Sequence, residues 1–551
     1  MKMNRFCTIL SAAALVLGAA GCDKFLDTMP DNRAEVDTIE KVRALLTSAY
    51  PTHTYLPICE YMSDNVDNIG DDNPSTSRFA DQLYSWSVIT ENPNDSPKRF
   101  WSGSYLSIAH ANQALYSIMD LVGIDQLDEA AIVSAGYGPE MAEALLVRAY
   151  NHFMLVNIFC QTYNKQTSDS DLGVPYMEGI ETELNPQYER GTVAHVYEMI
   201  DKDLQMALKY LSDSYYRVPK YHFNTRAAYA FAARFYLYYE QWDRVIEYAS
   251  KCLGSQPSQV LRNWQKLSQL ERDWEVRSND FINASYDANL LLVSSYSGYG
   301  YDSLQGIRKY SHDSYLTFTE LSFAYQVWGN TANGFAGVNS WFFCPVAWYN
   351  GANIDQCATW KVPYLFEYTD PVARIGYAHA VYPAFTMDEV LLNRAEAYVM
   401  KESYDLATTD VNTFIRSIIK AQFFPEDLTT EKIISFYKGI DYCTWDKSTT
   451  KKKLNPKFNI GQDGDAKESM LQCVLNMKRI ESLDMGLRWF DVKRYGIEIW
   501  RRTMEPDPAA GNYDAALRPM RLDDVLKVDD PRRAMQLPAE VITAGMTPNP
   551  R

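Results

Sequence analysis

The stretch 477–500, MKRIESLDMGLRWFDVKRYGIEIW, limits what this chain can fold into more than any other. One helical run ends near Asp484 and a second starts at Gly486. Arg479, Glu481, Arg488, Asp491, Lys493 and Arg494 are interleaved there with Trp489, Phe490, Tyr495 and Trp500. A planar guanidinium fixes a carboxylate through two parallel bonds. Charges this dense among large aromatics are expected to form a structural clamp that locks helix to helix, not a catalytic centre.

The rest of the chain reads as mostly α. Val42, Leu45, Leu46 and Ala49 share one face of a helix over 38–49, which Pro51 stops. Helices are expected over 101–122 and 139–159. The second is apolar nearly all round and should be buried. A long connector, 161–190, leads to an amphipathic helix over 192–211, with Thr192 placed as its cap. The region 52–98 is loop-rich. Its LYSWSVI segment reads as a strand, and DNVDNIGDDN, 64–73, reads as a solvated turn; the calcium-loop pattern ending in Glu is absent.

An internal repeat is visible. Ala233, Tyr236, Glu240, Trp242 and Asp243 recur as Ala395, Tyr398, Glu402, Tyr404 and Asp405. A small residue at a close helix crossing, an aromatic beside it and an acidic turn resemble tetratricopeptide units. The region 254–385 separates the two copies. It is rich in Gly, Asn, Ser and aromatics and poor in helical periodicity, and it opens a buried-type strand at 290–294. A loop-rich insertion of that size in a helical scaffold usually carries function. The tail from Glu505 reads as loop.

These segments resemble the SusD/RagB family of outer-membrane nutrient-binding lipoproteins. The clamp is similar to the family's C-terminal signature at Glu481, Gly486, Arg488, Trp489, Asp491 and Arg494, and departs from it at Met477, Lys478, Ser482 and Met485. Further matches are WSGSYLSIAHANQAL (101–115), FNTRAAYAFAARFYLYYEQWD (223–243), LLNRAEAYVMKESYD (391–405) and the closing DPRRAMQLPAEVI. They run in the family's order. The resemblance implies helix pairs packed into a tetratricopeptide-like support, with a large loop-rich insertion bearing the ligand site. It also implies a lid-like role over a SusC-like TonB-dependent transporter.

The first 21 residues read as a signal peptide. Lys2 and Arg5 precede a short apolar core, and Ala19, Ala20 and Gly21 precede Cys22. A Cys in that place resembles a bacterial lipobox, so Cys22 is expected to be lipidated. Acyl chains would hold the protein on the outer membrane, facing the cell exterior, without a spanning helix. Residues 22–36 read as a tether, 37–253 as an N-terminal helical region, and 254–551 as a C-terminal region containing the insertion. Net charge is −17, which disfavours a nucleic-acid partner. Seven cysteines follow Cys22, with Cys344 and Cys357 the closest pair.

Sugars present an apolar face and a rim of hydroxyls, so a binder needs aromatic platforms beside amide or carboxylate groups. Composition selects Trp86, Tyr299, Tyr301, Trp328 and Trp348 as platforms, with Asp67, Asn68 and Asn350 as hydrogen-bonding partners. No cofactor, metal site or enzyme activity is expected. The seven histidines are scattered, GxSxG is absent, and Gly298-x-Gly300 lacks a third Gly in phase. The main reading is an oligosaccharide-binding lipoprotein delivering ligand to its transporter. A peptide-binding RagB-like protein and a purely structural helical-repeat adaptor remain alternatives.

Overall fold

The structure is a computed structural model. It describes residues 36–181, 187–304, 308–329, 347–351, 354–424, 426–505 and 519–551; the side chains of 304, 347–351 and 354–356 are not described. Cys22 and the tether up to residue 35 lie outside the described residues.

Helix after helix packs against its successor. Pro97–Val122 lies on Gly138–Phe159, which lies on Val193–Ala207. Thr225–Tyr238 pairs with Trp242–Leu253, Met387–Met400 with Tyr404–Ile418, and Thr430–Gly439 with Ala466–Glu481. Local chemistry sets the starts. Thr192 accepts from the His195 amide, Asn224 from Ala227, and Thr386 from Glu389. Gly138–Phe159 is buried along almost its whole length, as its all-round apolarity requires.

The repeat reproduces itself down to the backbone. Ala233 and Ala395 are both fully buried at their crossings. Glu240 and Glu402 both take left-handed backbone, with φ of 57° and 60°. Gln241 N donates to Tyr236 O at 2.9 Å, and Ser403 N donates to Tyr398 O at 2.8 Å, closing the two turns alike.

Two N-terminal expectations are overturned. LYSWSVI is not a strand: helix Arg78–Tyr84 occupies its start, capped by Ser77, and Trp86 turns the chain with φ of 51°. DNVDNIGDDN is not a solvated turn. Asp64 and Asp67 are buried, and with Glu320 they pair with the arginines of the clamp. Arg488 grips Asp64 with Nε–Oδ1 at 2.7 Å and Nη2–Oδ2 at 2.9 Å, and Arg502 holds Asp67 at 2.7 Å. Burial alone would raise the Asp64 carboxyl, but Arg479 and Arg488 outweigh it and hold it well below its ordinary value. Deeper in, Arg494 and Lys478 meet Glu396 at 2.6 and 2.7 Å. Against the effect of burial, they hold its carboxyl at about 2.

Short strands tie these parts together. One sheet runs Tyr310–Ser311, Asp67–Asn68, Ile499–Met504, Met520–Leu526, so the segment after Glu505 ends in a strand and then helix Ala539–Thr543, not the expected loop. A second sheet runs Asn289–Tyr296, Ile375–Thr386, Leu365–Asp370. The six described cysteines are all buried; Cys344 lies outside the described residues. Among the described residues, no helix is long and apolar enough to cross a membrane.

Candidate ligand-binding surface

The second sheet changes character along its length. The half of Ile375–Thr386 from Ala380 onward is buried, while the half before it projects with its partner strand Leu365–Asp370 as a hairpin. Side chains alternate across a strand, so register decides which residues share a face. Tyr296 lies opposite His379, and Glu367 opposite Tyr377, which puts all four on one face. Phe366 and Tyr368 take the other face, with ring centroids 4.8 Å apart.

Gly376 makes the hairpin possible. A Cβ there would stand 1.9 Å from the Glu367 carbonyl oxygen. Only a residue without a side chain lets the two strands approach so closely.

On the first face the Tyr296 ring lies 5.6 Å from Tyr377 and 6.1 Å from His53. Tyr296 is 40% exposed and Tyr377 53% exposed. Just past Tyr296, helix Tyr299–Leu304 carries Tyr301, 43% exposed, whose ring packs 5.6 Å from Tyr364 beneath the Arg308 guanidinium.

Polar atoms with unmet bonding capacity border these rings. Asp95 accepts from the Gly298 amide through Oδ2 at 2.9 Å, while its buried Oδ1 has no partner. His379 Nδ1 and Arg308 Nε are likewise buried and unpartnered. Burial pushes the Asp95 carboxyl up to about 6, and pushes the His53 imidazole below its ordinary value. The surface therefore offers broad aromatic platforms, with buried polar atoms of unmet bonding capacity beneath them. Among the described residues no group of acidic, His or Cys side chains could hold a metal ion.

Of the residues chosen from composition, Tyr301 alone is described here as an exposed ring. Trp86, Tyr299, Trp328, Asp67 and Asn68 are all interior, at 6% exposure or less. Trp86 donates to Met62 O at 3.0 Å with the Arg501 guanidinium 4.0 Å over its ring, so it serves the core. Tyr299 packs edge-on against Tyr61. Asp67 is committed to Arg502, and Asn68 to Thr503 at 2.8 Å and the Gly70 amide. These positions correct the composition-based choice: a buried clamp takes the same residue types as a sugar site. Trp348 and Asn350 fall on strand Ala347–Gly351, and their side chains lie outside the described residues. The exposed Tyr296 and Tyr377 are not among the platforms chosen from composition; for Tyr377 the alternation in IGYAHAVY carries the signal.

The whole-chain architecture matches known structures. A SusD superfamily protein from Bacteroides thetaiotaomicron superposes with a TM-score of 0.57 at 16% identity, covering 93% of this chain and 100% of that one. A putative sugar binding protein from Bacteroides vulgatus gives 0.58 at 17%, covering 94% and 99%. A SusD-like carbohydrate binding protein, also from Bacteroides vulgatus, gives 0.56 at 13%, covering 92% and 96%. Residues 24–237 match the SusD-like family model described as starch-binding, associating with outer membrane. The chain has the SusD-like fold and carries a SusD-like family segment.

A comparison with curated proteins finds no match. In this SusD-like chain the family segment ends at residue 237, inside helix Thr225–Tyr238. The clamp cations and the hairpin lie beyond it and are placed by the fold alone.

Proposed function

We propose that this SusD-like protein is a lipid-anchored cell-surface receptor that binds an oligosaccharide and hands it to a SusC-like TonB-dependent transporter of the outer membrane. The observation that carries the reading is the exposed Tyr296–Tyr377 pair, bordered by Asp95 and His379 atoms that lack protein partners. A family described as starch-binding, and similar structures described as sugar-binding, support it. Capture needs no covalent chemistry; stacking and hydroxyl bonding suffice. Lipidation at Cys22 would supply the anchor.

Calorimetry on the form lacking residues 1–22, against plant, host and microbial glycans and a peptide digest, tests this. One glycan class should bind. Tyr296→Ala and Tyr377→Ala should each lose roughly five- to tenfold in affinity, about 1 kcal/mol or more, with unchanged melting temperature. Glycan binding unaffected by both variants would place the site elsewhere.

One observation favours a peptide ligand as a second reading. Leu365–Asp370 is an edge strand, and an extended peptide can add to such an edge through backbone hydrogen bonds. Binding of the digest alone, without any glycan, would select it.

A further inference from the structure

Buried cations in this molecule are held in two ways. Arg148 meets Asp203, Arg234 meets Glu389, and Arg394 meets Asp410, whereas Arg501 and Lys361 are held by backbone carbonyls. Lys493 and Arg533 are of the second kind, and unlike those two they share a cavity. Lys493 donates to Asn157 O at 2.5 Å and Cys160 O at 2.6 Å. Arg533 donates to the carbonyls of Lys527, Val492, Ile497 and Leu526, at 2.8, 3.0, 2.6 and 3.4 Å. Both are buried, and both line one cavity of about 230 Å³ between residues 161–171, 455–458 and 493–496.

Several of the accepting carbonyls stand at helix ends. Asn157 and Cys160 close Gly138–Phe159, and Val492 lies in the last turn of Arg488–Arg494. A helix C-terminus carries about half a negative charge, so each cation is only partly offset. Donors are also left over. An ammonium has three and a guanidinium five; the bonds above use two and four. Burial lowers Lys493 to about 8 and Arg533 to about 10, and Arg533 adds to the lowering at Lys493. Asn164, Asn455 and Tyr163 add neutral polar groups to the wall. Lys457 and Arg494 add further positive charge to the wall. Asp529, which pairs with Lys457 at 3.1 Å, acts with Asp530 and Glu498 on Arg533, the Cys160 and Cys59 thiols face Lys493, and Asp171 accepts from the Thr167 hydroxyl at 2.6 Å.

We propose that this cavity binds a small oxyanion, phosphate or sulfate, either free or carried on a sugar. The site is separate from the Tyr296–Tyr377 surface and stands whether or not that surface binds glycan. An anion here would complete the charge balance beside the clamp helix Arg488–Arg494.

Calorimetry and thermal denaturation of the intact protein at low salt, with sodium sulfate, inorganic phosphate and glucose 6-phosphate, test it. Sulfate should bind at one site, raise the melting temperature and weaken as chloride is added. Its affinity should fall about tenfold between pH 7 and pH 9 as the Lys493 ammonium loses its proton. Lys493→Met should lose at least tenfold in sulfate affinity; should that variant fail to fold, the wild-type pH series alone decides. Tighter binding of glucose 6-phosphate than of phosphate identifies a sugar-borne group as the ligand, and equal binding identifies the free ion. Absence of sulfate and phosphate binding at low salt, or sulfate binding indifferent to pH, overturns the proposal and leaves the two cations as helix-end caps only.

Discussion

Arg488 and Asp64 face each other through two parallel hydrogen bonds although 424 residues of chain separate them. Arg479 Nη2 also comes within 3.5 Å of an Asp64 carboxylate oxygen, and Lys452 within 3.8 Å. Removing the carboxylate charge leaves these cations buried without it. Asp64→Asn is expected to cost about 3–5 kcal/mol in urea unfolding. The double variant Asp64→Leu with Arg488→Met should cost less than the sum of the single changes. Additivity would mean that the pair does not act as a unit.

A second expectation concerns pH. Burial, and then Asp484 nearby, raise the Glu60 carboxyl from 4.5 to about 7. The folded state therefore holds a proton that the unfolded state releases. The contribution is fully present below pH 4.5 and is lost as pH rises through about 7. Asp64 has the opposite sign: its depressed carboxyl stabilises above its ordinary value of 3.8, and that stability is lost as pH falls below it. Melting curves at pH 5 and pH 8 should show wild type losing stability relative to Glu60→Gln. Parallel behaviour of the two proteins would remove Glu60 as the source.

Gly376→Ala tests the hairpin. The new Cβ would collide with the Glu367 carbonyl, so the strands must part and Tyr377 must move. Most of the hairpin before Ala380 is exposed or half-buried, so the global melting temperature should change little. Affinity for whichever ligand binds in the calorimetric panel should fall at least tenfold, about 1.4 kcal/mol. Retained affinity would show that Tyr377 plays no part in the site.

The repeated turns give a further test. Glu402 has φ of 60° and its carboxylate meets Lys467 at 2.8 Å on the surface. Left-handed backbone costs a side-chain-bearing residue about 1–2 kcal/mol, most for a β-branched one. In thermal denaturation Glu402→Gly should stay near wild type, whereas Glu402→Val should be less stable by about 1 kcal/mol or more. Equal stability of the two variants would argue that the turn relaxes out of this conformation.

Helix periodicity made the scaffold legible, and the recurrence of Glu240 as Glu402 marked the same turn twice. Caps such as Thr192 could be read because their partners are three residues away. The acidic run at 64–73 was misread because polarity alone reads as exposure; its partners Arg488 and Arg502 lie far along the chain, where no local pattern shows them. The platforms failed for a related reason. Trp86 and Trp328 are as aromatic as Tyr296 and Tyr377, and only strand register and tertiary packing decide which rings face water.

The clamp also orders events in time. Its carboxylates, Asp64 and Asp67, are synthesised first, and the guanidiniums that neutralise them, Arg488 and Arg502, follow 424 and 435 residues later. Until then, collapse around residues 64–67 would bury bare negative charge, which is strongly unfavourable. The early helices can form, but they cannot lock. Contacts between such distant parts of a chain also form slowly. The position of these two arginines in the sequence therefore sets when the molecule can close.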